Sequence, residues 1–151
     1  MKLLLLALLC CGLLGGWAQA GKVLNDSLVS RPFSHRVWQD VIHQGADNQG
    51  NVHFVRLRAH PARLNAYLSQ LASASPESHP DYFRNRSDQL AYWINAYNAL
   101  ALRLILDRYP LDDLSSLTDL ETLARYPLGG KPYALTDIRQ KIQARSFAVP
   151  L

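Results

Sequence analysis

The chain has 151 residues, with 16 Lys and Arg against 12 Asp and Glu, five His, two Cys and 48% hydrophobic residues. This length excludes a multidomain architecture, the apolar content excludes an intrinsically disordered chain, and eight Gly with eight Pro exclude collagen-like or low-complexity sequence. The formal charge of +4 is spread along the chain with no run of five basic residues, which argues against nucleic acid as a partner.

Residues 1–20 read as a secretory signal peptide. Lys2 supplies a short positive region, Leu3 to Leu14 is almost unbroken apolar sequence, and Ala18-Gln19-Ala20 is a small-x-small cleavage site before Gly21. The apolar run is shorter than the ~20 residues that cross a bilayer, and no later run replaces it, so no transmembrane segment is expected after cleavage. A retained N-terminal anchor, or acylation at Cys10 or Cys11, is the alternative. Cleavage leaves 131 residues and removes one Lys, which brings the formal charge from +4 to +3. It also removes both cysteines, so no disulfide is expected in the mature chain. The expected location is secreted or periplasmic.

Residues 21–32 lack periodicity and read as an N-terminal arm. Ser34 is a suitable cap for a short helix with an apolar stripe at Val37, Trp38, Val41 and Ile42, closed by Gly45. Asp47-Asn48-Gln49-Gly50 has turn chemistry, and Val52, Phe54, Val55 and Leu57 predict a short extended piece. Arg56, Arg58 and Arg63 form the nearest thing to a basic cluster and read as a solvated edge. Pro61 suits the start of a second helix, with Leu64, Tyr67, Leu68 and Leu71 spaced at three and four. A polar connection, Ser73 to Pro80, follows.

Asp88 to Tyr109 is the most informative stretch and predicts a central buried helix, about 88–109, stopped by Pro110. Leu90, Trp93, Ile94, Tyr97, Leu100, Ala101, Leu104 and Ile105 fill one face, and Ala96, Ala99, Leu102 and Leu106 make the other apolar too. A helix of that kind is buried nearly all round. Beyond it, residues 113–123 predict a short helix, Gly129-Gly130 a turn, residues 131–135 an extended piece, and Thr136 the cap of a last helix. The sum is an α+β domain, predominantly helical, with one or two short extended segments.

Within the central helix, Asn95 and Asn98 lie three apart and project in similar directions. An unsatisfied buried amide costs about 1–3 kcal/mol, so both need partners. Two readings follow for Tyr92, Trp93, Asn95 and Asn98: a polar lock that fastens loop backbone to the helix, or the wall of a ligand cleft. The lock reading implies that Asn98→Ala lowers the melting temperature. The sequence carries no thiol in the mature chain and no nucleophile elbow, zinc-protease helix, phosphate loop or dinucleotide fingerprint. His35, His43, His53, His60 and His79 join no second metal-ligand motif, so no metal and no cofactor is expected. Asp112, Asp113 and Asp137 read as residues of helix starts, and Glu121 and Asp119 single out no acid/base pair.

The block from Gln89 to Pro110, with its Leu-Ala-Tyr-Trp-Ile-Asn-Ala-Tyr-Asn-Ala-Leu core and closing Tyr-Pro, resembles the domain of unknown function 547 family of bacteria and plants. Its hallmark there is Ala-Phe-Trp-Ile-Asn-x-Tyr-Asn-Ala. Weaker likeness runs through Phe33 to Trp38, Gly50-x-Val52-x-Phe54, Leu64-x-x-Tyr67-Leu68 and Gly130-x-x-Tyr133-x-Leu135-x-Asp137-Ile138. The resemblance implies a family domain over residues 33–151 of a bacterial secreted or periplasmic member. Family members follow the last element with Glu-His, where this chain has Arg139-Gln140, and continue into an Asp-Pro-Arg-x-His segment and a cysteine motif. The resemblance therefore implies a domain incomplete at its C-terminus. It names no molecular activity. A thiol- or His-dependent hydrolase or transferase on an envelope or extracellular substrate is one alternative, and a noncatalytic binding or scaffold module is another.

Overall fold

The computed structural model describes residues 32–110 and 115–146. The expected leader and most of the arm, with Cys10, Cys11, Ala18, Ala20 and Gly21, lie outside the described residues. The described elements are α1 (Arg36–Gly45), α2 (Phe54–Ala59), α3 (Ala62–Ser73), a 3-10 turn (Pro80–Tyr82), α4 (Arg86–Arg108), α5 (Ser115–Leu123), β1 (Tyr126–Leu128), β2 (Lys131–Tyr133) and α6 (Leu135–Ser146). A predominantly helical α+β domain is therefore observed, with one antiparallel hairpin pairing Tyr126 with Tyr133 and Leu128 with Lys131. No helix among the described residues is long and apolar enough to cross a membrane.

α4 is the central element, and its start is set by reciprocal capping. Asn85 accepts a hydrogen bond from the Asp88 backbone N–H at 2.9 Å, while the Asp88 carboxylate accepts one from the Arg84 N–H at 3.1 Å. One of the helix's orphan donors, the Asp88 N–H, is thereby satisfied, together with the N–H of Arg84 just before the cap. The helix thus begins at Arg86, two residues before the expected start at Asp88. Tyr92, Trp93, Ala96, Ala99, Leu100, Leu104 and Leu106 are buried along it. Burial is not all round, however: Ile94 is 40% exposed, and Asn98, one turn on, is exposed too. The buried stripe is centred on the small residues Ala96 and Ala99. A count of apolar side chains does not rank alanine above isoleucine, whereas the position of the neighbouring helices does.

Three other expectations are corrected. Residues 54–59 are helical, not extended; Phe54 and Leu57, three apart, turn inward while Val55 is 66% exposed, and only Val52 makes a β-bridge, to Ala46. Pro61 is the cap of α3 and not its first residue, and its carbonyl accepts from the Asn65 N–H. Thr136 lies inside α6, which starts at Leu135; Asp137 reaches back to the Ala134 N–H at 2.8 Å and caps it. Gly45 closes α1 as expected, and packing requires a glycine there: an added Cβ would lie 2.5 Å from a Leu57 methyl.

The Gly129-Gly130 turn behaves as read, and it also docks. Both glycines have positive φ, 55° and 81°, as a two-residue hairpin with primed geometry requires. Their N–H groups donate to the carbonyls of Leu71 and Ala72 at 3.0 and 2.9 Å. Those carbonyls sit in the last turn of α3, where no intrahelical donor remains. The hairpin therefore caps α3, and the Tyr92 hydroxyl adds a second donor to the Leu71 carbonyl at 3.0 Å.

Candidate functional site

Aromatic rings run in contact through the core. Trp38 stacks on Tyr67, Tyr67 meets His35, His35 meets Phe33, and Phe33 stacks on Phe83 with centroids 5.4 Å apart. Phe33 and Phe83 both present themselves edge-on to Tyr92, which in turn meets Trp93, and Trp93 meets Tyr133. Offset and edge contacts of this kind each add about 0.5–1.5 kcal/mol beyond burial. They also fix the ring positions from α1 to β2.

Where this chain of rings reaches the surface it borders a pocket of about 200 Å³, lined by Phe33, His35, Phe83, Arg84, Asp88 and Ala91 among others. The strand-like segment before α1 is held in place by two bonds. The Phe33 N–H donates to the Tyr82 carbonyl at 2.9 Å, and the Gln70 amide donates to the Ser34 carbonyl at 2.8 Å. His35 follows directly. Its Nδ1 lies 2.7 Å from the Tyr67 hydroxyl, which is fully buried.

That bond decides the tautomer. Burial pushes the Tyr67 phenol well above its ordinary range, so it stays protonated. His35 is its one hydrogen-bond partner among the described residues. A buried hydroxyl proton left without an acceptor costs about 1–3 kcal/mol, so Tyr67 donates and Nδ1 accepts. The neutral ring then carries its hydrogen on Nε2. Burial lowers the His35 pKa, and the Asp88 charge acts weakly against it. The result is a neutral imidazole on the pocket wall with Nε2–H as a donor. Nε2 has no partner among the described residues.

Arg84 and Asp88 supply the pocket's charges. The Arg84 guanidinium has no ion-pair partner among the described residues. Asp88 Oδ2 is committed to the Arg84 N–H, which leaves Oδ1 available. A perturbed histidine in a concavity with convergent polar groups marks a candidate functional site on physical grounds.

Of the residues singled out from sequence, Tyr92 backs this pocket from behind, edge-on to Phe33 and Phe83. Trp93 is fully buried, with Lys141 and Arg145 over its ring at 6.0 and 5.6 Å, and its Nε1–H is without a hydrogen-bond partner among the described residues. Asn95 is half-buried and Asn98 exposed, and no hydrogen bond joins either side chain to another described group. The histidine that lines the pocket, His35, is one of the five that join no metal-ligand motif in the sequence. Only its proximity to Phe33 and Tyr67 distinguishes it, and a contact 32 residues apart leaves no local signal.

Two further polar clusters bind elements together. The Glu77 carboxylate accepts from Lys141 at 2.6 Å and from the Tyr133 hydroxyl at 2.7 Å, and Lys131 stands 3.7 Å away. The bond from Lys141, then that from Tyr133, holds Glu77 below the usual carboxylate range, while burial and Glu77 push Tyr133 up to about 12. Neither group exchanges its proton near neutrality. Arg139 donates to Glu121 at 2.7 Å and to Tyr97 at 2.9 Å, which ties α6 to α5 and α4. The departure from Glu-His at 139–140 is thus an ion-pairing residue here.

A second pocket, about 190 Å³, is lined by Trp38, Val41, Ile42, Val52, Leu57 and Leu102 among others, all apolar side chains. It offers no polar group to orient a ligand. Among the described residues, no three His, Cys, Asp or Glu side chains gather in a way that could hold a metal ion.

No curated protein and no solved structure matches the chain. Residues 82–148, from the 3-10 turn through α6, match the family model described as "Protein of unknown function, DUF547", which supports the family read from the Trp-Ile-Asn-x-Tyr-Asn-Ala block.

Proposed function

We propose that this chain is an exported protein, secreted or periplasmic, whose domain binds a small molecule in the His35 pocket. Export rests on the basic-apolar-small pattern of residues 1–20. Binding rests on one observation above others: the 2.7 Å bond to buried Tyr67 fixes the His35 ring on the wall of the pocket with Nε2–H as a ready donor. Aromatic walls, one donor, one cation and one carboxylate are the chemistry of recognition.

The test is a fragment screen by ligand-observed NMR on the mature protein, repeated on Ala91→Phe, which fills the pocket from α4. Fragments that bind the wild type and lose binding in a folded Ala91→Phe protein support the site. Binding that survives the substitution would place it elsewhere. Intact-mass analysis of protein exported from cells checks the other half, with the N-terminus expected at Gly21; recovery of protein that retains Met1 refutes cleavage.

A further inference from the structure

We infer that the His35 pocket takes a zwitterionic ligand about the size of one amino acid, with its carboxylate on Arg84 and His35 Nε2–H, its ammonium on Asp88, and an apolar side chain against Phe33 and Phe83. This rests on the reading of that pocket as a binding site and adds the class of ligand.

Size comes first. About 200 Å³ falls below the roughly 300–1,000 Å³ of sites that hold drug-sized molecules, so the ligand is small. Charge comes next. The pocket carries one cation and one carboxylate, so a ligand bearing a single charge would satisfy one and face the other unpaired. Arg84 presents a planar fork suited to a carboxylate. The His35 donor is neutral, so it assists the carboxylate without adding charge. Asp88 has one oxygen bound by the Arg84 N–H and the other free of any described partner, which suits an ammonium. That bond anchors the Asp88 carboxylate beside the Arg84 backbone, so both charges belong to one wall of the pocket. The remaining wall is aromatic: Phe33 and Phe83 are stacked at 20° and braced by Tyr92.

Three probes of similar size separate the possibilities: L-phenylalanine, benzoate and phenethylamine, each titrated into the mature wild-type protein and followed by ¹H–¹⁵N shifts. The expected result is saturable shifts of Arg84, Asp88 and Ala91 with phenylalanine, and binding weaker by about tenfold or more for each singly charged probe. Arg84→Gln is expected to remove the preference for phenylalanine over phenethylamine. Asp88→Asn, if folded, removes the preference over benzoate. Should benzoate or phenethylamine match phenylalanine at these residues, the pocket stands as a binding site and the zwitterion is refuted. If no probe shifts these residues, both readings fall.

Discussion

Protonating His35 would place a cation against a phenol whose only acceptor among the described residues is the nitrogen being protonated. Burial opposes that charge further, the Asp88 carboxylate favours it, and Tyr67 offers no charge. The folded pKa therefore lies below the unfolded value of about 6.5. Between the two values the unfolded chain binds more protons, so acidification through that window lowers stability, and the loss is complete below the folded pKa. Melting temperatures of the wild type are expected to fall from about pH 7.5 to about pH 5, and those of His35→Gln to fall less. Parallel curves for the two proteins would contradict the neutral-histidine assignment. Glu77 acts in the same sense but in a more acidic window. Its carboxyl is held low by Lys141 and Tyr133, so its contribution is present above the ordinary glutamate range and is lost only as pH falls through its folded pKa.

The helices and the hairpin show which parts of the fold are written locally. α3 and α4 follow from their apolar spacing, and Pro110 and the paired glycines mark ends that need no tertiary information. α2 does not: Phe54, Val55 and Leu57 satisfy both periods, and Leu57 packing on Gly45 selects the helix. The caps by Asn85 and Asp137 lie outside the apolar patterns and so move both helix starts. Gly129 carries the sharpest consequence at this scale. A Cβ there would combine a positive φ with a 2.3 Å approach to the Ser75 hydroxyl, whereas Gly50, also at positive φ, faces open space. Gly129→Ala is expected to cost about 1–3 kcal/mol and more than Gly50→Ala, as read by chemical denaturation. Equal costs would show that the hairpin does not press on the Ser75 loop. On α4, Asn98 is exposed and without a hydrogen bond among the described residues, so the desolvation argument for a lock does not reach it. Asn98→Ala is expected to leave the melting temperature level or raise it slightly, since alanine is the better helix former by about half a kcal/mol. A fall of several degrees would restore the lock.

Across the whole molecule, one buried helix organises both the core and the candidate site. Leu71 accepts from Tyr92 and from the hairpin, and Tyr92 braces Phe33 and Phe83 at the pocket. The prominence of α4, its aromatic content and the predominantly helical class were legible because they depend on spacing within twenty residues. The pocket was not, because it assembles residues 33–35, 67 and 83–91 from three separate segments. What brings them together is packing: a buried phenol needs an acceptor, and the imidazole that gives one lies 32 residues away. The most direct measurement is a long-range ¹H–¹⁵N spectrum of the histidine side chains of the mature protein near neutral pH. The account predicts that His35 is neutral, with hydrogen on Nε2 and Nδ1 accepting from Tyr67. A His35 ring protonated on Nδ1, or on both nitrogens, would contradict it.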